Sequence, residues 1–252
     1  MDSMDILSLL KDLQQACSHP CLVKNRDRQQ CCTIFERSYV SSKIKATLDI
    51  LNSVIIKNAI IESGRTTESG SSESAPEKVL VFTQFTRMPD LLEPVLNSSH
   101  IQYRRFDGKM NRTARGKAVK DFEMNPKVTV LLVSLMAGNV GLNLTAASHV
   151  IIVDPWWNPF VEEQAISRAH RIGQTRPVNV YRLVVQGTIE ERVLHLQVRS
   201  RSDNFITEIA IFLLDKKRRM VEGVLRGDGD IFAELAMKKL TEEDLRYLFI
   251  NA

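Results

Sequence analysis

The sequence has few cysteines, few aromatic residues and no long apolar run. Its 252 residues include four cysteines and 6% aromatic residues. A membrane-spanning helix needs about 20 consecutive apolar residues, and the sequence contains neither such a run nor a secretory signal pattern. These absences predict a soluble intracellular protein with no membrane partner and with reduced cysteines.

The cysteines that are present do not form a recognised metal-binding pattern. They lie with one histidine near the N-terminus, at Cys17, His19, Cys21, Cys31 and Cys32. A C-x-H-x-C segment followed by two adjacent cysteines is not one of the usual tetrahedral zinc sets. We therefore predict no metal site.

The sequence also lacks the phosphate-binding loop G-x-x-x-x-G-K-[ST]. Gly108-Lys109 is followed by methionine and Gly116-Lys117 by alanine. No Asp-Glu pair of the kind that holds magnesium is present. Because hydrolysis of ATP needs the phosphate loop and the metal together, we predict that the isolated chain has no meaningful ATPase activity.

Positive charge is concentrated in one part of the chain. The formal net charge is only +4, but residues 165–226 carry twelve Lys and Arg against six Asp and Glu. A basic face suits a phosphate backbone. A solvated charged helix remains the alternative for the basic run at 216–219.

Residues 164–174, QAISRAHRIGQ, are the most informative stretch. Arg168 and Arg171 fall three residues apart on a predicted helix over 159–171, which begins at an Asn158-Pro159 cap. Residues at i and i+3 share a helix face, so both guanidiniums can point at one phosphate-bearing ligand. For two arginines alone a solvated surface is the better interpretation, and the flanking residues decide against it.

Alternating strands and helices predict an α/β fold with a parallel sheet covered on both faces. Apolar runs predict strands near 79–83, 101–106, 128–134, 149–154 and 178–185. Helices are predicted near 4–17, 41–61, 87–97, 111–124 and 159–171. Ligands bind such sheets at the carboxyl ends of strands, where Asp154 and the start of the last helix are expected.

Residues 134–174 resemble helicase motifs five and six of the Swi/Snf-type family of superfamily-two DNA translocases. The segments that carry the resemblance are 137–144 (AGNVGLNL), 154–159 (DPWWNP) and 168–174 (RAHRIGQ). Residues 79–85 look like the family's motif four, 103–115 like the segment after it, and 15–20 like the helix that links two lobes. The resemblance covers roughly residues 5–23 and 39–198.

The resemblance implies the second, RecA-like (P-loop NTPase-type) lobe of a two-lobed ATPase, closest to the fungal DNA-repair branch. Arg171 matches the family's main arginine finger and Arg168 its companion. Gly141, Asn143 and Gln164 match the ATP-binding side. ATP with magnesium is the implied cofactor, with the metal held mainly by the first lobe, which is an implied partner in cis or in trans.

The resemblance also implies contacts with the backbone of double-stranded DNA. They are carried over to Thr83, Gln84, Gly108 and Ser134, although Ser134 could equally just end its strand. Trp156 and Trp157 are better interpreted as packing residues than as base-stacking platforms. Ser167 replaces the acidic residue that the family usually has there, which weakens the expectation of efficient hydrolysis.

The implied function is the second motor lobe of an ATP-driven DNA translocase in chromatin remodelling or DNA repair. Nuclear localisation, and nucleosomes as partners, follow from it. The alternatives are a non-catalytic lobe that binds DNA or partner proteins, and an RNA helicase lobe. The RING finger found in this branch needs eight zinc ligands, and the sequence has no such set, so ubiquitin-ligase activity is not predicted.

Four regions are expected along the chain. They are a helical lead-in over 1–61, a flexible linker over 62–78, the lobe over 79–197 and a helical extension over 198–252. Within the extension, residues 198–215 interrupt the family pattern. We interpret them as an insertion, from a translated intron or a gene-model error. If the segment is real, its apolar stripe either packs on the core or offers an interface.

Overall fold

The computed structural model describes residues 3–23, 38–63, 76–137 and 142–204. Its strands are β1 (Val79–Thr83), β2 (Tyr103–Phe106), β3 (Val130–Ser134), β4 (His149–Ile152) and β5 (Asn179–Arg182). Its α-helices are α1 (Ser3–Ser18), α2 (Ser42–Glu62), α3 (Met88–Ser98), α4 (Arg112–Met124), α5 (Pro159–Ile166) and α6 (Ile189–Asn204). A 3-10 turn, Pro20–Leu22, follows α1.

The five strands form one sheet in the order β2-β3-β1-β4-β5, and every pairing is parallel. The three central strands are buried along their whole length, whereas β5 at the edge is partly exposed. Continuous apolar runs are what a sheet covered on both faces requires. The predicted parallel α/β fold is therefore confirmed.

Alternate residues of each central strand enter two separate cores. Leu80, Phe82 and their neighbours pack with Phe122 of α4 and Val161 of α5. Val79, Val81 and their neighbours pack with helices α2 and α3. Because side chains of a strand alternate between the two faces, one apolar run supplies both cores and places helices on either side of the sheet.

Helix α5 is shorter than the sequence predicts, and the predicted placement of Arg168 and Arg171 on it is wrong. The helix ends at Ile166 and the chain continues in turns. In a longer helix the Arg168 carbonyl would accept from the residue four positions on. Here it accepts from the Leu144 N–H at 3.0 Å. This contact from a distant segment takes the acceptor that the next helical turn would need.

The two lead-in helices pack on different parts of the lobe, α2 on the sheet and α1 on α6. Ile44, Leu51 and Val54 of α2 belong to the same core as β1 and β3, and Leu10 of α1 packs with α6. Ser41 caps the start of α2, and its hydroxyl accepts from the Ile44 N–H. Among the helices that the structure describes, none combines the length and apolarity that crossing a membrane requires.

Three expectations fall wholly or partly on residues that the structure does not describe. Gly141, expected near the ribose, is one of them. The expected linker over 62–78 is described only at its ends, where α2 reaches Glu62 and residues 76–78 lead into β1. Of the expected insertion, only 198–204 is described, as a continuation of α6.

Candidate nucleotide and nucleic-acid interface

The residues predicted to contact DNA meet at the carboxyl edge of the sheet. Thr83 and Ser134 end the adjacent strands β1 and β3 and are paired in register. Their side chains are buried, whereas Gln84 is half-buried and Gly108 is exposed. The Thr83 hydroxyl has no hydrogen-bond partner within the part of the chain that the structure describes. The edge therefore presents mainly Gln84 and the loop after β2 to solvent.

The loop after β2 is held in shape by one buried carboxylate. Asp107 accepts hydrogen bonds from the Lys109 N–H at 2.9 Å and from Arg105 Nε at 2.7 Å. Burial alone would raise the pKa of Asp107, but these donors outweigh it and leave the pKa below its usual value. Arg115 donates to the Gly108 carbonyl at 2.6 Å. The exposed turn is thus rigid and flanked by cations.

The arginine segment lies at the far end of α5 from this edge. Helix α5 starts after β4 and its eight residues span about 12 Å. Beyond it, Arg176 reaches the Pro76 carbonyl, just before β1. The arginines therefore lie about one helix length from the edge that carries the residues predicted to contact DNA.

Two hydrogen bonds join the arginine segment to the chain that precedes β4. Arg171 Nη1 donates to the Leu142 carbonyl at 3.4 Å, and the Leu144 N–H donates to the Arg168 carbonyl. Asn143, exposed between these two contacts, is thereby brought beside Arg171. The structure thus brings together three of the residues predicted to bind nucleotide, although they are far apart in sequence.

The two guanidiniums differ in exposure and lie close enough to repel each other. Arg171 is exposed and Arg168 is half-buried. Burial, and then the charge of Arg171, lower the pKa of Arg168. Adjacent cations of this kind favour a polyanion, because its charge relieves their repulsion.

Gln174 fixes the turn that carries the arginines. Its side-chain amide donates to the carbonyls of Thr145, Ala147 and Ala169 at 3.0, 2.7 and 3.2 Å. Its Oε1 accepts from the Arg176 N–H at 3.0 Å. Sequence analysis assigned no role to Gln174 beyond the motif. A glutamine placed to satisfy several buried carbonyls is recognisable only once the fold is known.

Gln164, the residue of α5 that is predicted to bind nucleotide, is only partly accessible. Gln164 is half-buried, and its carbonyl accepts from the Ser167 hydroxyl at 2.8 Å. Ser167 itself is exposed and caps the helix end. A carboxylate at this position, as the family usually has, would face solvent. The Ser167 hydroxyl instead hydrogen-bonds the backbone of the same helix.

A buried polar cluster beneath the carboxyl edge was missed by sequence analysis. Asp154, Lys43 and Glu190 are at most 3% exposed. Lys43 Nζ donates to Glu190 Oε1 at 2.5 Å and to the Val153 carbonyl at 2.7 Å, and it lies 3.9 Å from Asp154. Burial raises the pKa of both carboxyl groups, and Lys43 opposes the shift. The lysine therefore compensates two buried acids.

A second buried carboxylate, Glu162, holds the backbone of Trp156. It is fully buried and accepts from the Trp156 N–H and from Arg182 Nε, both at 2.8 Å. Gln197 of α6 donates to it at 2.9 Å. Trp156 packs on the α4–α5 side of the sheet and Trp157 against α1 and α6. The packing interpretation of the tryptophans is confirmed.

The nitrogens of His19 are both engaged by the backbone. Nε2 lies 2.7 Å from the Tyr39 carbonyl, and Nδ1 accepts from the Cys21 N–H at 3.1 Å. Across the described residues no group of three or more His, Cys, Asp or Glu side chains is placed to hold a metal ion. Cys31 and Cys32 lie outside those residues.

A five-stranded parallel sheet with an arginine turn beside the segment before β4 defines the class of RecA-like helicase lobes. Residues 61–173 match the family described as the helicase conserved C-terminal domain. The helicase-like transcription factor CHR27 of Arabidopsis thaliana is 40% identical over 237 residues, which are 85% of this chain and 21% of that protein. The DNA repair protein rad8 of Schizosaccharomyces pombe is 52% identical over 134 residues, 53% of this chain and 12% of that protein.

Solved structures of similar fold come from the same kind of protein as these relatives. The C-terminal part of the Fun30 ATPase domain is 33% identical, with a TM-score of 0.54, covering 62% of this chain and 45% of that chain. The Sulfolobus solfataricus SWI2/SNF2 ATPase core domain is 28% identical, with a TM-score of 0.56, covering 81% and 36%. The chain belongs to the Swi2/Snf2-type helicases and carries their C-terminal RecA-like domain. It spans about a fifth of the length of the relative CHR27.

Proposed function

We propose that this chain is the second motor lobe of an ATP-dependent translocase on double-stranded DNA. In this role Arg171 is the arginine finger, Arg168 its companion, and the carboxyl edge of the sheet contacts the DNA backbone. The translocase would act in chromatin remodelling or DNA repair in the nucleus. The names of relatives, which include a DNA repair protein and a helicase-like transcription factor, support this setting.

The exposed Arg171 beside Asn143 is the observation that carries the proposal. Within the described residues its hydrogen bond to the Leu142 carbonyl is long, at 3.4 Å, so the guanidinium remains available to phosphate oxygens. Arg168 is close enough for its pKa to respond to Arg171. An arginine finger that stabilises the charge on a transferring phosphoryl group is worth about a thousandfold or more in rate.

The proposed ATP site is shared with another lobe. Arg171, Arg168, Asn143 and Gln164 would supply this chain's side of it, and the donor set of two guanidiniums and two amides fits a triphosphate. Magnesium neutralises phosphate charge when it is bound, and its ligands are expected in the first lobe. What this chain contributes is orientation and positive charge.

The DNA side of the proposal is supported by the geometry of the carboxyl edge. Gly108 is exposed there and Gln84 is partly accessible, whereas the side chains of Thr83 and Ser134 are buried at the same edge. Exposed cations Lys109 and Arg112 flank Gly108. Contacts of this kind read the phosphate backbone rather than base sequence.

The test is ATP turnover of a two-lobed protein in which this chain follows the nucleotide-binding lobe. We expect duplex DNA to stimulate phosphate release more than single-stranded DNA or RNA does. The 252-residue chain alone should show no DNA-stimulated turnover, and its binding to duplex DNA should weaken with salt. Stronger stimulation by RNA would instead indicate an RNA helicase lobe.

The same experiment addresses the non-catalytic alternative. If the two-lobed protein binds duplex DNA yet shows no stimulated turnover with the phosphate loop intact, the chain is a binding lobe and not a motor half. Ser167, in place of the usual acid, is the feature that favours this outcome. Restoring a carboxylate with Ser167→Glu should then raise turnover.

A further inference from the structure

The first helix of the described chain ends inside the lobe. Ser18, the last residue of α1, is fully buried and its hydroxyl hydrogen-bonds Asp154 Oδ1. The Ser18 carbonyl accepts from the Ser41 hydroxyl at 2.8 Å, and Ser41 caps α2. The end of α1 is therefore fixed from two sides by directional hydrogen bonds rather than by apolar packing alone.

The other oxygen of the same carboxylate holds the loop after β1. Asp154 Oδ2 accepts from the Gln84 N–H at 3.3 Å, and the Phe85 N–H also donates to this carboxylate. Gln84 is one of the residues proposed to contact DNA. One fully buried side chain thus links the end of α1 to the backbone of the proposed DNA loop.

Asp154 is itself fixed by ionic contacts. Lys43 of α2 lies 3.9 Å from it and donates to the carbonyl of the preceding residue, Val153, and to Glu190 at the start of α6. Glu190 in turn accepts from the Val185 N–H at 2.9 Å. Well-packed apolar residues would stabilise a core as well as such an ion cluster does. What the ions add is fixed relative geometry of the elements they join.

We propose that Ser18 is a positioning residue, which acts through Asp154 to set the Gln84 loop according to the position of α1. The proposal rests on the proposed function and on the resemblance of residues 15–20, at the end of α1, to the helix that links two lobes. Movement of that lobe would pull on α1 and be transmitted to the DNA loop through Ser18 and Asp154. Ser18 touches neither ATP nor DNA in this scheme.

The test compares Ser18→Ala with Ser53→Ala. Ser53 is a matched control, because its hydroxyl donates to the Ile50 carbonyl at 2.7 Å on the exposed face of α2. In the 252-residue chain, amide hydrogen exchange at Gln84 and Phe85 should become about tenfold faster in Ser18→Ala, as loss of a charge-assisted hydrogen bond predicts. Ser53→Ala should leave both amides unchanged.

The effect on function is measured as ATP turnover of the two-lobed protein, with and without DNA. Ser18→Ala should lower DNA-stimulated turnover about tenfold, since small misplacements cost that much or more, while DNA-independent turnover and the KM for ATP stay unchanged. A residue that only stabilises the fold would lower both rates together. Ser18→Cys fills the same space with a weak donor, so it should give the same pattern with a smaller effect and guards against misfolding of the alanine variant.

The outcomes separate the two proposals. Unchanged exchange at Gln84 and Phe85 in both Ser18 variants, or equal loss of the two turnover rates, would overturn the positioning role. Absence of DNA stimulation in the unmutated two-lobed protein would overturn the proposed function instead. The exchange measurement needs neither ATP nor DNA, so it remains informative in that case.

Discussion

The buried cluster under the carboxyl edge and the arginine turn at the far end of α5 are built in opposite ways. Asp154, Lys43 and Glu190 are buried and satisfy one another. Arg171 is exposed, and its side-chain hydrogen bond within the described residues is long. Fixed geometry and available charge are thus supplied by different regions of the lobe. Breaking the first should cost stability, and breaking the second should cost chemistry.

The largest effect is expected at the arginine turn. In the two-lobed protein, Arg171→Ala should reduce ATP turnover by about a thousandfold or more and leave duplex DNA affinity largely intact. Arg171→Lys should also fail, because an ammonium cannot reproduce the planar fork of a guanidinium. Steady-state phosphate release and fluorescence anisotropy with labelled DNA measure the two quantities.

Lys127→Ala is the control for loss of one positive charge. Lys127 is exposed just before β3, at the opposite edge of the sheet from the DNA residues. Its removal should change neither turnover nor the thermal midpoint. Near-normal hydrolysis in Arg171→Ala would mean that the finger is another residue.

The buried cluster should show the reverse pattern. Lys43→Met leaves Asp154 and Glu190 without their cation and should lower the free energy of unfolding by about 3–5 kcal/mol. Urea denaturation at constant m-value measures this. Lys45→Met, two residues along the same helix but exposed, is the matched control and should stay within about 0.5 kcal/mol.

Acid should partly rescue Lys43→Met. Burial already raises the pKa of both carboxyls, and Lys43 opposes this rise, so its loss raises them further. Protonation then removes the uncompensated charge, and the gap to the unmutated chain narrows as pH falls. A gap that stays the same at every pH would mean that the lysine acts through packing alone.

Replacing Glu162 tests whether its hydrogen bonds stabilise the fold as the buried cluster around Asp154 does. Glu162→Gln places an amide where Arg182 and Gln197 both donate, so at least one donor loses its acceptor. We expect a loss of about 2–3 kcal/mol in unfolding free energy. Glu163→Gln, the half-buried neighbour, should cost far less, and equal losses would show that position on α5, not the contact, matters.

Local patterns were enough to predict the sheet and the starts of its helices, although not the end of α5. The apolar runs at β1, β3 and β4 are continuous, as burial on both faces requires, and caps such as Asn158-Pro159 mark helix starts. The arginine motif could also be found, because its residue types are unusual together. These features depend on neighbours in sequence, which is why a sequence alone reveals them.

Long-range contacts were the part that the sequence could not supply. The end of α5 is set by the Leu144 N–H, which arrives from a segment more than twenty residues upstream. From its sequence neighbours, Lys43 would be expected to be an ordinary surface lysine near a helix start. In the structure it is only 3% exposed. Its burial follows from Asp154 and Glu190, which are remote in the chain. The only local signal was an otherwise apolar helix face.

The smallest expected effect compares two aspartates that follow strands at the same edge. The pKa of Asp107 is lowered, because Arg105 and two backbone N–H groups outweigh its burial. Such a group stabilises the fold above its unfolded pKa of about 3.9, and that stability is lost as pH falls through the folded value. Asp107→Asn should therefore cost about 1 kcal/mol at pH 7, and the cost should shrink in acid.

Asp154 should respond with the opposite sign. Burial raises its pKa, so the folded state holds a proton more readily than the unfolded state and stability falls as pH rises between the two values. Relative to Asp154→Asn, the unmutated chain should thus gain stability as pH falls, whereas relative to Asp107→Asn it should lose stability. Urea denaturation of both variants from pH 7 towards pH 3 measures the two slopes. Slopes of equal sign would mean that both carboxylates share one environment, and the contrast between an accessible edge and a sealed cluster beneath it would fail.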